Sequence, residues 1–248
     1  MSRNLGLRRF ILYLRTMQKT LFYFLLLVTF LSNAQEKKND SIPFEDLKYR
    51  EDQFYIGFTY NFINNKPAAI SQQGFSGGFQ LGFIRDLPLN KKRNLGLGLG
   101  LGYATNSYNQ NLLIQKNGGV IQYAVLDNEV TSYSKNKLNM HIVEVPIQLR
   151  WRTSSASSHK FWRVYAGLKF GYVFNTVIKH KGEIGDFKLK NTADIQKIQT
   201  DLDLSFGWNT WNFYLSYGLQ PLLKKTAKLN EKPIEMSTIK FGLLFYIF

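Results

Sequence analysis

The feature that most constrains this chain is a two-residue alternation of apolar and polar side chains that recurs along most of its length. Eight stretches after Gln53 show it, and each can cross a bilayer as a tilted strand, for which ~9 to 11 residues suffice. They centre on residues 54–62, 75–84, 95–105, 141–151, 162–174, 202–208, 211–219 and 238–248. Because eight is even, the pattern predicts an all-β fold, an eight-stranded antiparallel transmembrane β-barrel of the outer membrane.

The clearest stretch is LGLGLGLGY at 95–103, where leucines occupy one face and glycines the other. In the stretches at 141–151 and 162–174, one parity is apolar and the other carries charge. We therefore expect the apolar parity to contact lipid and the charged side chains to form a polar network in the lumen: Glu144, Arg150, Arg163 and Lys169. Such a network is either a gate or an ion-pair plug, and the narrow bore of eight strands favours the plug.

The connections and the tryptophans support the same topology. Long and short connections alternate, as in outer-membrane barrels with short periplasmic turns and longer extracellular loops. All four tryptophans flank predicted short turns and share the apolar parity, so we expect an interfacial girdle made of Trp151, Trp162, Trp208 and Trp211. If Trp151 faces Trp162, Glu144 faces Lys169 and Arg150 faces Arg163, and Asp201 or Asp203 could neutralise the second pair.

Composition and charge narrow the function classes. Phe and Tyr number 34 together, which suits strands, and there is no cysteine to form a disulfide, a thiolate metal site or a lipid attachment. The net charge is +15, but five basic and no acidic residues precede Gln35, so the remainder carries 27 − 17 = +10. An exported chain does not meet nucleic acid, so we expect no nucleic-acid partner.

The N-terminus has the features of a secretory signal. Residues 17–34 carry a basic residue, Lys19, near their start, continue with an apolar run at 21–31 and end in small residues. That run is too short for a spanning helix. We expect a signal peptide at 1–34, a periplasmic tail at 35–52 and the barrel at 53–248, with Met17 as an alternative start.

A secreted, soluble barrel of lipocalin type would show the same alternation with its apolar face inward. That arrangement would place the tryptophans in the core and expose the glycine face of 95–103 to water, where bare backbone weakens a strand. The membrane barrel accommodates both features, because interior glycines make room for large polar side chains such as Tyr55 and Gln80.

The C-terminus and two long connections complete the expectations. Tyr246 and the last residue, Phe248, form the predicted signal for the outer-membrane insertion machinery, while the stronger apolar set from Ile239 to Ile247 should face lipid. Residues 106–140 contain a Gly118-Gly119 turn that predicts a hairpin above the membrane. Residues 175–200 are basic and could meet an acidic partner; a solvated loop is the alternative.

Catalytic candidates are few. His180 has Asp186 nearby in sequence and could act as a base, but a solvated loop histidine among lysines is the simpler interpretation. His141 and His159 have no evident partner, and no metal-ligand spacing or nucleophile motif is present. We expect no enzyme activity, no cofactor and no metal.

Four strings resemble the PorT proteins of the type IX secretion system of Bacteroidetes: GFIRDLPLNKKRN (82–94), VEVPIQLRWRTSS (143–155), KFWRVYAGLKFGYVF (160–174) and YLSYGLQPLL (214–223). The resemblance implies an outer-membrane accessory of protein secretion and, in gliding relatives, of motility. Its partners would be outer-membrane lipid, the insertion machinery and other secretion components. The alternatives are a generic structural or adhesion barrel and, less favoured, a barrel enzyme.

Overall fold

The computed structural model describes residues 52–127, 129–153 and 162–247. The predicted signal peptide, nearly all of the predicted periplasmic tail, His159 and Phe248 lie outside these residues, so what the sequence indicates for them stays a prediction. Within the described ranges, no helix has the length and apolar character needed to traverse a membrane.

Eight antiparallel strands close into a barrel in the order β1-β2-β3-β6-β7-β9-β10-β13, with β13 pairing back onto β1. The predicted strand count and fold are therefore confirmed. Two small hairpins and one short strand lie in the connections. The elements are β1 (Gln53–Asn64), β2 (Gly77–Pro88), β3 (Leu95–Asn109), β4 (Leu112–Asn117), β5 (Val120–Val125), β6 (Tyr133–Arg152), β7 (Trp162–Gly182), β8 (Phe187–Lys190), β9 (Ile198–Trp208), β10 (Trp211–Gly218), β11 (Lys228–Leu229), β12 (Lys232–Pro233) and β13 (Ser237–Ile247).

The alternation also predicts correctly which way side chains face near the short turns. Leu99 and Leu168 lie on the outer surface, whereas Gln148 is buried inside. The glycines of β3 leave room for large interior groups: a Cβ at Gly98 would lie 2.7 Å from Cδ of Arg150. At Gly102, a Cβ would overlap the Tyr55 hydroxyl.

The predicted register between β6 and β7 is wrong by two residues. Trp151 lies opposite Val164 instead of Trp162, and Glu144 lies opposite Gly171. The Thr153 side chain accepts a hydrogen bond from the Trp162 backbone N–H at 3.0 Å, which closes the hairpin further along β6 than expected. A two-residue slip leaves every side chain on the same face, so alternation alone cannot distinguish the two registers.

Above the predicted ends of these strands, the pattern inverts. On β6 the inward side chains change from charged to apolar at Leu138, Met140 and Ile142, while the outward ones become Lys135 and Lys137. On β7, Phe174 is the extra residue of a β-bulge, because Val173 and Asn175 pair with the consecutive residues Ile142 and His141 of β6. After the bulge, the side chains that face inward are those of even-numbered instead of odd-numbered residues.

These inward side chains join loop residues in one apolar cluster, which we call the cap core. It covers the end of the barrel with the long connections. By the usual arrangement of outer-membrane barrels, this end is extracellular. The cap core consists of Ile63, Ile70, Ala104, Tyr108, Leu112, Ile114, Leu138, Met140, Ile142, Val173, Ile178, Ile195, Leu222, Leu223, Ala227, Ile234 and Met236.

The predicted hairpin within 106–140 is confirmed as β4 and β5, joined at Gly118 and Gly119, which have φ values of 55° and 91°. The base of the hairpin is not exposed. Leu112 and Ile114 are buried in the cap core, because the apolar side chains of β4 cover the barrel mouth.

Candidate functional site: a charged lumen beneath an apolar cap

The layer of the lumen nearest the short turns is built around Asp86 on β2. Arg152 makes a bidentate contact with it, from Nη1 to Oδ1 at 2.8 Å and from Nη2 to Oδ2 at 2.6 Å. Arg150 Nη1 lies 3.1 Å from the same Oδ1 and also donates to Gln53. All three charged side chains are fully buried. One carboxylate therefore links β2 to two positions of β6 across the lumen.

Asp201 and Asp203, which the sequence suggested as possible partners for the pair Arg150 and Arg163, bind Lys240 and Lys169 instead. Arg150 pairs with Asp86, which was missed because the predicted second strand stopped at Ile84. Asp86 has the same parity as Gln80 and Gly82, so extending the alternation by two residues would have placed it inside the barrel. Arg152 was missed for the same reason, one step beyond the predicted end of its strand.

Lys169 forms the middle layer. Its Nζ lies 2.9 Å from Asp203 Oδ2 and 3.4 Å from Glu144 Oε2, and it donates to Gln80 and Tyr214 at 2.7 Å each. The expected proximity of Glu144 and Lys169 is thus found, although the two residues meet diagonally rather than directly across the strands. Charged hydrogen bonds of this kind are the stronger ones in proteins.

The upper layer is the pair Lys240 and Asp201, with Nζ 2.5 Å from Oδ2. A cavity of about 10 Å³ separates it from the cap core and is lined by Tyr108 and Leu222 among others. A space of this size holds about one water molecule.

Arg163 lies opposite Arg152 across β6 and β7, not opposite Arg150. Its Nη1 donates to the Asn209 carbonyl in the two-residue turn. Its guanidinium lies 5.9 Å from the ring centroid of Tyr246, and that of Arg150 stands 4.2 Å over the ring of Tyr165. The interior thereby accommodates neighbouring cations with aromatic faces and a backbone carbonyl.

Counted together, the buried charges of the lumen nearly cancel. Within the described part of the chain, four buried carboxylates stand against five buried cations: Asp86, Glu144, Asp201 and Asp203 against Arg150, Arg152, Arg163, Lys169 and Lys240. Because each of these carboxylates pairs with at least one of the cations on another strand, the arrangement ties the barrel walls together.

The four tryptophans are exposed on the outer surface near the short turns, where Trp162 and Trp208 pack at 5.3 Å between ring centroids. Their role as an interfacial girdle stays a prediction. Tyr246 points into the lumen, with its hydroxyl 3.3 Å from Ser205 Oγ. Its role in insertion is likewise untested.

The histidines lie elsewhere than expected. His180 is not a solvated loop residue: it is buried in the cap, stacked on Phe187 with its Nδ1 3.3 Å from Asn136 Oδ1. This burial lowers the pKa of His180, and Asp186 pairs with Lys181 instead. His141 does have a partner, because its Nδ1 lies 2.7 Å from the Tyr103 hydroxyl. Among the described residues, no group of three or more acidic or histidine side chains is arranged to hold a metal.

Comparison with protein families identifies the class. Residues 33–224 match the family model described as outer membrane protein beta-barrel domain. The chain belongs to this family. It is an outer-membrane β-barrel protein, and the alternative of a soluble lipocalin-type barrel is wrong.

Among solved structures, this outer-membrane barrel is similar to Ail, the attachment invasion locus protein of Yersinia pestis, in a crystal structure with the heparin analogue sucrose octasulfate. The identity is 12% and the TM-score 0.35, over 80% of this chain and 99% of Ail. So low an identity and TM-score do not indicate what this chain binds. A search of curated proteins finds no match.

Proposed function

We propose that this protein is a non-enzymatic, non-conducting accessory of type IX secretion that binds other secretion components through its extracellular cap. The observation that carries the proposal is the closure of the barrel at two levels. The ion pairs Asp86–Arg152 and Asp201–Lys240 and the hydrogen bond from Lys169 to Gln80 connect strands that are not neighbours in the barrel, and the cap core covers its mouth. A barrel closed in this way offers a cargo protein no passage, so a role in secretion must be exercised by contact.

The pathway itself is supported by the resemblance of four strings to PorT proteins. The same strings are consistent with a generic structural or adhesion barrel, which is the alternative that the experiment must separate. The two functions differ in what loss of the protein does to export.

The tip of the β4–β5 hairpin is the part of the cap best suited to a partner. Its base is fixed in the cap core by Leu112 and Ile114, while Val120 at the tip is 64% exposed. An anchored hairpin with an exposed apolar residue presents a preorganised surface, which loses little entropy on binding.

The test is deletion of the gene, followed by restoration with the wild-type chain or with a shortened hairpin. Removing Lys116, Asn117, Val120 and Ile121 deletes two cross-strand pairs together with the exposed Val120, keeps the Gly118-Gly119 turn and preserves the facing of every remaining residue. The readout is export of proteins with C-terminal sorting domains. Glu231→Gly, at the tip of the β11–β12 hairpin, is the matched control, because Glu231 has a positive φ that glycine adopts readily.

We expect the deletion to abolish export, and the shortened hairpin to fail although the barrel inserts normally. Normal export in the deletion strain would contradict the secretion role and leave the generic barrel. Full rescue by the shortened hairpin would show that the partner binds elsewhere than at this tip. Pull-down in mild detergent with mass spectrometry then identifies the component bound.

A further inference from the structure

Six lysines lie together on the outward face of three adjacent strands in the extracellular part of the barrel wall. Lys135 is directly opposite Lys181, Lys137 is opposite Lys179, and Lys179 is opposite Lys188 on its other side. Lys190 continues the row on β8. We call this surface the lysine face: Lys135, Lys137, Lys179, Lys181, Lys188 and Lys190.

Like charges directly across a strand pair destabilise a sheet, so this arrangement works against folding. Within the parts of the chain that the structure describes, only Lys181 of the six has a carboxylate within 4 Å, that of Asp186 at 3.7 Å. Partial burial, together with the charges of Lys135 and Lys179, lowers the pKa of Lys137, which stands above the membrane-spanning part of β6. One carboxylate close to six ammonium groups is too little negative charge to offset their repulsion.

The position of the face indicates where that charge comes from. Directly below it, on β6 and β7, the outer surface becomes apolar at Val143 and Phe174 and continues so to the short turns. Tyr103, His141 and Phe174 pack together at this boundary, with ring centroids 6.2 to 6.3 Å apart. Lys137 is six residues above Val143, roughly 20 Å along a tilted strand. The flexible lysine stem lets the ammonium group reach downwards from there.

A recess lies at the same boundary. It has a volume of about 130 Å³, and its lining is mixed, with apolar Val173, Phe174 and Ile195 and polar Thr176, Asn191, Thr192 and Lys197. The surface thus offers, from bottom to top, an apolar wall, an aromatic boundary with a recess of mixed lining, and a row of cations.

We propose that the lysine face binds the phosphate and carboxylate groups of lipopolysaccharide in the outer leaflet, while the acyl chains of the same molecule lie against the apolar wall below. Lipopolysaccharide is an acylated glycolipid with anionic groups just above its acyl chains, so one molecule meets both surfaces. An acidic protein partner would match the cations but would not account for their continuity with the lipid-facing wall. The proposal depends on the outer-membrane location and not on the secretion role.

The test measures binding of deep-rough lipopolysaccharide to the purified protein in zwitterionic detergent at low salt, by native mass spectrometry. The variant is the triple substitution Lys137→Gln, Lys179→Gln, Lys188→Gln. The matched control carries Lys225→Gln, Lys228→Gln, Lys232→Gln, which removes the same charge from exposed lysines on and next to the β11–β12 hairpin. The same glycolipid stripped of phosphate, and inorganic phosphate alone, are the other probes.

We expect the triple variant to bind roughly tenfold to a hundredfold more weakly than the wild type, since each basic residue near an anionic leaflet contributes measurably. The control should change little, the stripped glycolipid should bind weakly to every variant, and salt should weaken wild-type binding. Equal loss in the control would reduce the effect to net charge and overturn the proposal. Full competition by millimolar inorganic phosphate, or unchanged binding by the triple variant, would overturn it too. If the triple variant does not fold, Lys179→Gln alone, which neighbours two other lysines, decides by the same comparison.

Discussion

The membrane-spanning part of the barrel and the cap above it are built from the same strands but sort their residues in opposite ways. On β6, the lower part places Val145 and Leu149 outward and Arg150 inward, whereas the upper part places Lys137 outward and Leu138 inward. Strand geometry is the same in both. What differs is the surrounding medium, which is lipid below and water above, so the exterior must be apolar in one part and polar in the other.

The interiors differ accordingly. The lower lumen contains charged side chains that pair with one another, whereas the cap contains a packed apolar core like that of a soluble protein. The comparison predicts that the same kind of substitution has different consequences in the two parts. Each prediction below is read as the free energy of unfolding, from urea titration in lipid vesicles followed by tryptophan fluorescence.

The largest difference is expected between two ion pairs. Asp86→Ala removes the carboxylate that binds Arg150 and Arg152 in the lumen, and breaking a buried pair in this way costs about 3 to 5 kcal/mol. Asp186→Ala breaks the exposed pair with Lys181 in the cap, where less than about 1 kcal/mol is expected. A loss below about 1 kcal/mol for Asp86→Ala would show that other acceptors suffice for the two arginines.

Two inward positions of β6 provide the next contrast. Leu138→Asn places an amide in the cap core and removes apolar packing, for which about 2 to 5 kcal/mol is expected. Gln148→Asn, at a polar position of the lumen, loses one methylene group and should cost about 1 kcal/mol or less. Similar costs at the two positions would mean that the cap interior tolerates polar groups as the lumen does.

Two outward positions, one in the membrane and one in the cap, test the exterior. Leu99→Arg puts a charge on the lipid-facing surface near mid-membrane, which costs about 2 to 4 kcal/mol. Ala124→Arg, at an exposed position of β5 in the cap, should change stability by no more than about 0.5 kcal/mol. An equal penalty at Ala124 would place the membrane boundary higher than the change of pattern indicates.

The smallest effect concerns the lysine face. Lys179→Gln relieves repulsion with the cross-strand neighbours Lys137 and Lys188, so in vesicles of zwitterionic lipid it should stabilise the barrel by about 0.2 to 1 kcal/mol. Lys225→Gln, which removes a lysine outside the face, should have no measurable effect. Destabilisation by Lys179→Gln would show that the lysine supports the fold by its stem rather than opposing it by its charge.

Sequence alone determined the strand number, the closure of the barrel and the direction in which each membrane-spanning side chain faces. The reason is that lipid outside and a narrow polar lumen inside require a two-residue period, which is legible in a stretch such as 95–103 without any partner strand. The same parity placed Glu144, Arg150, Arg163 and Lys169 inside the lumen.

Which side chains bind one another depends on the tertiary structure. Parity survives a two-residue slip, so the register of β6 on β7 and the choice of Asp86 as the partner of Arg150 and Arg152 depend on hairpin closure and on strands distant in sequence. The cap core could not be predicted from the sequence either. Ile70, Ile195, Leu222 and Ile234 lie outside the regular strands and show no period, and they become one core because the closed barrel brings its long connections together over a single opening.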